Sequence, residues 1–407
     1  MLDLDFVRKH FPALSGEWAL FDNAGGSVPL SSVIDHIAAY MRRLGVQLGA
    51  SYELSAEAGE RVAAGHRAME TYIGAAPGEV VLGPSSTVLL YRLARALRPL
   101  WQDGDEVVVT NLDHEANVGP WRSLESSGIR IKEWCLRTDT AELHLDDLKP
   151  LLTDRTRLVA MTHCSNLVGR IHDVAAAAEV VRNAGALLCV DGVAYAPHRR
   201  IDVKALGVDF YVFSTYKTYG PHQSVLWGRR DLLLKAHGQS HHFIGEDDVP
   251  YKLEPGGVNH ELAASLVAIP DYFETLGAHH LEGESVDAGQ RLSRAFDLIA
   301  DHEERLSQRI LDLLKSKKGV RILGPVAPDR TVRVPTISFF VEGRRSSEIP
   351  PLLDAEMMAI RWGDFYAIRA IRALGLEAQD GVVRISMVHY NTLEEADRLV
   401  AALDRIL

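Results

Sequence analysis

Lys217 follows the apolar run Tyr211-Val-Phe-Ser214 and sits in Thr215-Tyr216-Lys217-Thr218-Tyr219-Gly220-Pro221, among hydroxyls and aromatics rather than other charges. A lysine held partly out of water can lose its proton and attack a carbonyl to form a Schiff base. A second apolar run, Leu187-Leu-Cys-Val-Asp191, ends in a carboxylate, which can hold the proton of a ring nitrogen. The two residues stand 26 positions apart, room for one crossover to a neighbouring strand. A third apolar run leads into Gly83-Pro-Ser-Ser-Thr87, where hydroxyls and free N–H groups at a helix start suit an anion. Each feature alone has a plainer use: aspartate and serine commonly cap helices, and most lysines lie in solvent. Glu246-Asp247-Asp248 reads as a solvated acidic loop rather than a metal site.

These residues need elements that bring their ends together. Short apolar runs at 79–82, 106–110, 129–134, 157–162, 187–191, 210–214 and 224–227 predict strands, with helices at 88–97 and 173–184 between them. Strands alternating with helices predict a mainly parallel sheet whose carboxyl edge carries the chemistry. Before it, helices are expected at 33–44 and 58–73, and a short strand at 21–26 running into a flexible turn. After residue 260 a long helical tract to about 317 precedes a smaller α+β segment, with strands at 336–341 and 382–387 and a last helix at 392–407. The expected division is a large domain at 21–270 and a small one from 1–20 and 271–407.

Composition narrows the class. The chain has 407 residues, 47% hydrophobic and 24% charged, the profile of a globular protein able to bury a substantial core. A net charge of -11 disfavours nucleic-acid partners, and no run is long and apolar enough for a membrane span. Neither GxGxxG after the first strand nor GxxxxGK[ST] occurs, which argues against a Rossmann dehydrogenase or a P-loop NTPase. Cys135, Cys164 and Cys189 lie far apart without a CxxC pair, and the N-terminus lacks a signal-peptide core. The expected setting is a reducing cytoplasm, with no metal centre.

The segment VDGVAYAPHRRIDVKALGVDFYVFSTYKTYGP (190–221) resembles pyridoxal-phosphate enzymes of fold type I, specifically class V aminotransferases and cysteine desulfurases. FDNAGG (21–26) resembles their YLDNAA strand, LDHEANVGPW (112–121) their EHHSNxxPW, and THCSNLVG (162–169) their THxSNxxG. LEPGGVN (253–259) resembles FExGTPN, and VVRISMVHYNTLEEADRL (382–399) resembles RxSxxxYNTxEEID. These segments keep the family's order along nearly the whole chain. The resemblance implies an α/β fold with a mainly parallel seven-stranded sheet in the large domain and a smaller α+β C-terminal domain.

It implies roles as well. Lys217 resembles the Schiff-base lysine, Asp191 the partner of the pyridine nitrogen, and His114 the imidazole stacked on the cofactor ring, where it can relay protons. Asn166 matches the side chain near the phenolic oxygen, and Ser85, Ser86 and Ser214 match the phosphate contacts. Tyr216, where the family has histidine, stays among the cofactor-binding positions. Arg384 resembles the arginine that grips a substrate carboxylate, with Asn23, Ala24, Arg361 and Tyr366 beside it.

Departures from the family pattern bear on the reaction. Desulfurases carry a nucleophilic cysteine in a stretch like RTGHHCA. Here the stretch is Arg361-Trp-Gly-Asp-Phe-Tyr366-Ala367, with Tyr366 either a substrate contact or a phenol filling space at a helix start. Cys135 and Cys189 are expected to be packed, and Cys164 to lie near the cofactor. DGAQ becomes Asp191-Gly-Val-Ala194, and Gly257 stands where relatives lend a threonine across a dimer. The implied function is a homodimeric pyridoxal-phosphate enzyme acting at the α-carbon of a small amino acid or amine, aminotransferase-like and without desulfurase activity. A C–S or β-eliminating lyase, or an epimerase, is the alternative. From another class, a non-catalytic dimeric scaffold is weighed, and it has no use for Lys217, Asp191, His114 and Arg384 together.

Overall fold

A computed structural model describes residues 1–281 and 286–407. The short strand β1 (Ala19–Leu20) precedes the main sheet, which comprises β2 (Val80–Gly83), β3 (Glu106–Thr110), β4 (Arg130–Trp134), β5 (Thr156–Thr162), β6 (Leu187–Asp191), β7 (Phe210–Ser214) and β8 (Ser224–Gly228). Their order is β2-β8-β7-β6-β5-β3-β4. All neighbours are parallel except β8, which runs against both β7 and β2. Successive side chains feed opposite faces: Leu188, Val190, Tyr211 and Phe213 enter one core, and Cys189, Phe210 and Val212 the other. Both faces are covered over the inner strands, so β6 and β7 are apolar along nearly their whole length rather than alternating, whereas β4 at the edge carries Arg130, Lys132 and Glu133.

The helix Ser86–Leu97 covers the second face with Leu89, Leu90, Leu93 and Leu97. Glu53–Ile73 and Ala268–His279 pack on the first. A second, antiparallel sheet has the order β12-β13-β10-β9, from β9 (Val320–Ile322), β10 (Thr336–Val341), β12 (Arg361–Gly363) and β13 (Val382–Ser386). β1 lies apart from both sheets, paired parallel with β11 (Met358–Ala359).

The helical tract expected from 261 to 317 is three helices: His260–Ser265, Ala268–His279 and Ala288–Ser316; part of it lies outside the described residues. Pro270 explains one break, because its ring is tolerated only in the first turn of a helix. The strand expected at 21–26 is displaced to Ala19–Leu20. Phe21 is buried in the small core, its N–H bonded to Ala359 and its carbonyl to Ser386 N, and the chain turns at once. The first twenty residues are thus shared: Leu2, Val7 and Phe11 join the large core, Ala19 the small one. Cys135, expected to be packed, is exposed, because it follows β4 at the outer edge of the sheet.

Candidate active site

The carboxyl ends of β3, β5, β6 and β7 deliver His114, Asn166, Asp191 and Lys217 to one chamber. Its inner part, about 70 Å³, is lined by these four together with Ser85, Ser86, Ser214 and Tyr216. An outer part of about 260 Å³ adds Ala24, Arg361, Trp362, Phe365, Tyr366 and Arg384. Four residues, His114, Asn166, Tyr216 and Lys217, face both parts.

Lys217 lies on a single 3-10 turn after β7 and is buried. Burial, and secondarily the Arg384 cation, pull its ammonium down to about 8, against the opposing carboxylates of Asp191 and Asp22. Asp191 is buried at the tip of β6 and accepts from Val193 N at 2.8 Å. Its carboxyl is raised to about 6, by burial, while the Val193 N–H and Lys217 hold it back. The turn after it needs Gly192, since a Cβ there would come within 2.1 Å of the Tyr211 phenol. His114 Nδ1 accepts from Ala116 N at 3.0 Å, which puts the ring proton on Nε2. Burial first, then Lys217 and Arg384, lower its pKa to about 3, so the imidazole is neutral.

Behind Lys217 three buried hydroxyls bond to one another: Ser86 to Ser214 at 2.8 Å, Ser214 to Ser224 at 2.9 Å, and Ser86 to Ser224 at 3.3 Å. Ser86 opens the helix that Ser85 caps by accepting from Val88 N at 3.2 Å, so the plain capping role and the anion-facing position coexist. Ser224 was not among the residues singled out from sequence. Because β8 runs against its neighbours, its first residue lands at their carboxyl edge, opposite Gly83 and Ser214.

At the outer end Arg384 is fully buried, and burial lowers its pKa. It donates to Asp22 at 2.8 Å and to the Asn166 carbonyl at 3.2 Å, and its guanidinium lies 3.8 Å over the Phe365 ring. Its Nε is buried without a partner. Arg361, largely exposed, approaches the other Asp22 oxygen at 3.7 Å. Tyr366 is exposed, its ring centroid 5.1 Å from that of His114, and it fills no interior space.

Asn23 is placed elsewhere. Its side chain donates to Leu20 O, Ser386 O and Asn391 Oδ1 and accepts from Tyr390, tying β1 to the small layer outside either part of the chamber. Cys164 is buried in the inner lining, and burial pushes its thiol up to about 12. Among the described residues no group of three His, Cys, Asp or Glu side chains is set to hold a metal.

This donor set fits pyridoxal phosphate. A desolvated amine stands ready for the aldehyde, a buried carboxylate for the ring nitrogen, and a neutral imidazole beside the ring. The hydroxyl cluster at a helix start, bonded only within itself among protein groups, suits the phosphate.

Residues 19–399 match the family described as Aminotransferase class-V. The chain is 40% identical to "Aminotransferase-like protein FGM3" of Gibberella zeae, covering 99% of this chain and 98% of that one. It is 35% identical to "Cysteine desulfurase-like protein ustD" of Aspergillus flavus, covering 100% and 91%. Among solved structures, the cysteine desulfurase CsdA of Escherichia coli superposes with a TM-score of 0.83 at 26% identity, covering 100% of this chain and 98% of that one. The chain belongs to the class V aminotransferase family of pyridoxal-phosphate-dependent fold type I enzymes.

Proposed function

We propose that this protein acts at the α-carbon of a small amino acid, as an aminotransferase-like enzyme without cysteine desulfurase activity. One observation carries the reading: Lys217 and His114 face both the inner part and an outer part that ends in Arg384. When bound, pyridoxal phosphate supplies an electron sink that acidifies the α-hydrogen of an attached amine. Arg384 would take the substrate carboxylate through its free Nε and an N–H now shared with Asp22. That grip puts the α-carbon toward Lys217, whose amine, held near 8, accepts and returns a proton close to neutral pH. With the cofactor bound, Asp191 would hold the ring nitrogen through a hydrogen bond, and His114 would cover the ring and keep water from it.

Against the persulfide route, the stretch that carries the cysteine in desulfurases has Tyr366, and Cys164 faces only the inner part with its thiol fully protonated. A second reading, a β-eliminating lyase, is favoured by the exposed Tyr366 phenol beside His114, a proton donor for a departing group. The deciding test offers the holoenzyme a panel of amino acids with a 2-oxo acid, and separately cysteine with a reductant. New amino acid formed from the oxo acid supports transfer. Sulfide with pyruvate supports elimination instead, and sulfide with equimolar alanine would overturn the exclusion of desulfuration.

A homodimer belongs to the same proposal. Gly256 and Gly257 are left-handed, with open space where a Cβ would stand, in a segment next to exposed Tyr251 and a groove of about 650 Å³. A fully active monomer in light scattering would remove this part. The cytoplasm is the proposed setting, on the three free cysteines; no helix among the described residues is long and apolar enough to cross a membrane.

A further inference from the structure

The outer wall of the chamber is the segment between β12 and the helix Ile368–Ala373. Phe365 and Tyr366 have φ of 54° and 59°, the left-handed region that bulky residues avoid unless their surroundings over-determine it. Those surroundings are on hand. Tyr366 N donates to Asp364 Oδ1 at 2.8 Å, and Ala367 N to Asp364 O at 2.8 Å. The other two bonds cross from the small layer to the large domain: Asn166 Nδ2 donates to Phe365 O at 2.9 Å, and Glu115 N to Tyr366 O at 2.8 Å.

Three residues further on, Arg369 reaches the same large-domain residue. Its Nε and one terminal nitrogen meet the two Glu115 carboxylate oxygens at 3.1 and 3.3 Å. Its other nitrogen lies 3.9 Å from Glu133, which Arg122 already holds at 2.6 Å. Glu115, one residue after His114, therefore holds the strained turn by its backbone N–H and the helix that follows the turn by its carboxylate. Such a half-exposed pair adds little stability. What a two-pronged contact adds is direction.

We propose that Glu115 and Arg369 form a clasp that holds the left-handed Phe365–Tyr366 turn against His114, making Tyr366 a fixed wall that selects substrates by side-chain size. Glu115 and Arg369 are positioning residues, and Tyr366 determines specificity. The size selection rests on the amino-acid reading given above; the clasp does not.

The test uses the holoenzyme and Arg369→Met, Glu115→Gln, the double variant, and Arg369→Lys. Hydrogen exchange over residues 361–369 needs no substrate. Either single variant should speed exchange at Tyr366 and Ala367 about threefold, with β6 unchanged, the double should be no faster than the singles, and Arg369→Lys should recover most of the protection. Unchanged exchange in both singles, or additive effects in the double, overturns the clasp. Titration of the cofactor absorbance with L-alanine, L-2-aminobutyrate, L-norvaline and L-phenylalanine reads selection. The singles should narrow the alanine-to-phenylalanine affinity ratio at least about fivefold, and Tyr366→Ala further still. Faster exchange with an unchanged ratio overturns the role of the wall. If the unaltered protein responds to none of the four, the amino-acid reading and the size selection both fall, and exchange alone judges the clasp.

Discussion

The two parts of the chamber are built differently. The inner part is made of strand tips and a helix start, so its side chains inherit positions from a sheet whose backbone is already paired: Asp191 ends β6, Ser214 ends β7, and Ser86 opens a helix. The outer part rests on residues 22–25 and 361–366, on two left-handed non-glycine residues, and on arginines that share a resident carboxylate. Regular elements leave the chemical groups little freedom. Loops tied by long-range contacts can be rebuilt without disturbing the sheet, and there Tyr366 stands where the desulfurase pattern has its cysteine.

Four experiments press on this contrast, from the largest effect to the smallest. Lys217→Ala should abolish covalent cofactor attachment altogether, read by mass spectrometry after borohydride treatment. A cofactor still fixed to the chain would move the attachment site. The second concerns pH. Burial disfavours the ammonium of Lys217, so the reactive neutral amine is reached near pH 8 instead of 10.5. Reconstitution of the apoprotein should slow about tenfold per pH unit below 8 and level off above it; a break near the ordinary lysine value would show an inner part open to water. Third, Arg384→Lys should weaken amino-acid binding by about 1.5–3 kcal/mol and leave an amine lacking the carboxylate unaffected, because a point charge replaces the planar fork. Equal losses for both ligands would place the carboxylate elsewhere. Smallest is Asp22→Asn: it removes the anion that competes for Arg384, so amino-acid affinity should rise by about 1 kcal/mol in direct titration. A fall would mean that Asp22 orients the arginine.

The same division governs what the sequence disclosed. The strands Leu187–Asp191 and Phe210–Ser214 were legible to the residue, since an apolar run ending in a polar residue is a local signal. So were the positions of Asp191 and Lys217, which follow from those ends. Ser224 was not, because its place depends on β8 running antiparallel, a property of pairing rather than of the run itself. Asn23 was expected at the substrate and turned instead into a knot with Tyr390 and Asn391, residues more than three hundred positions away. Asp22 and Phe365 went unnoticed for the same reason: only the fold brings them to Arg384, one as an ion pair and the other as a ring beneath the guanidinium. The packed reading of Cys135 failed because it rested on the residue's following a strand, while Arg130, Lys132 and Glu133 in that strand are the mark of an outer position.

The helix Ala288–Ser316 carries a consequence for the molecule as a whole. Its first half places Leu292, Phe296 and Ile299 in the large core, and its second half places Leu306, Ile310 and Leu314 in the small one. A continuous rod shared by two cores makes each the other's foundation: melting either end releases buried side chains at both. The protein should unfold in one calorimetric transition rather than two. A fragment cut between 281 and 286 would leave the large core without Leu292, Phe296 and Ile299, and the small core without Ala19 and Phe21. The two cores thus stand or fall together, whichever end of this shared axle is loosened first.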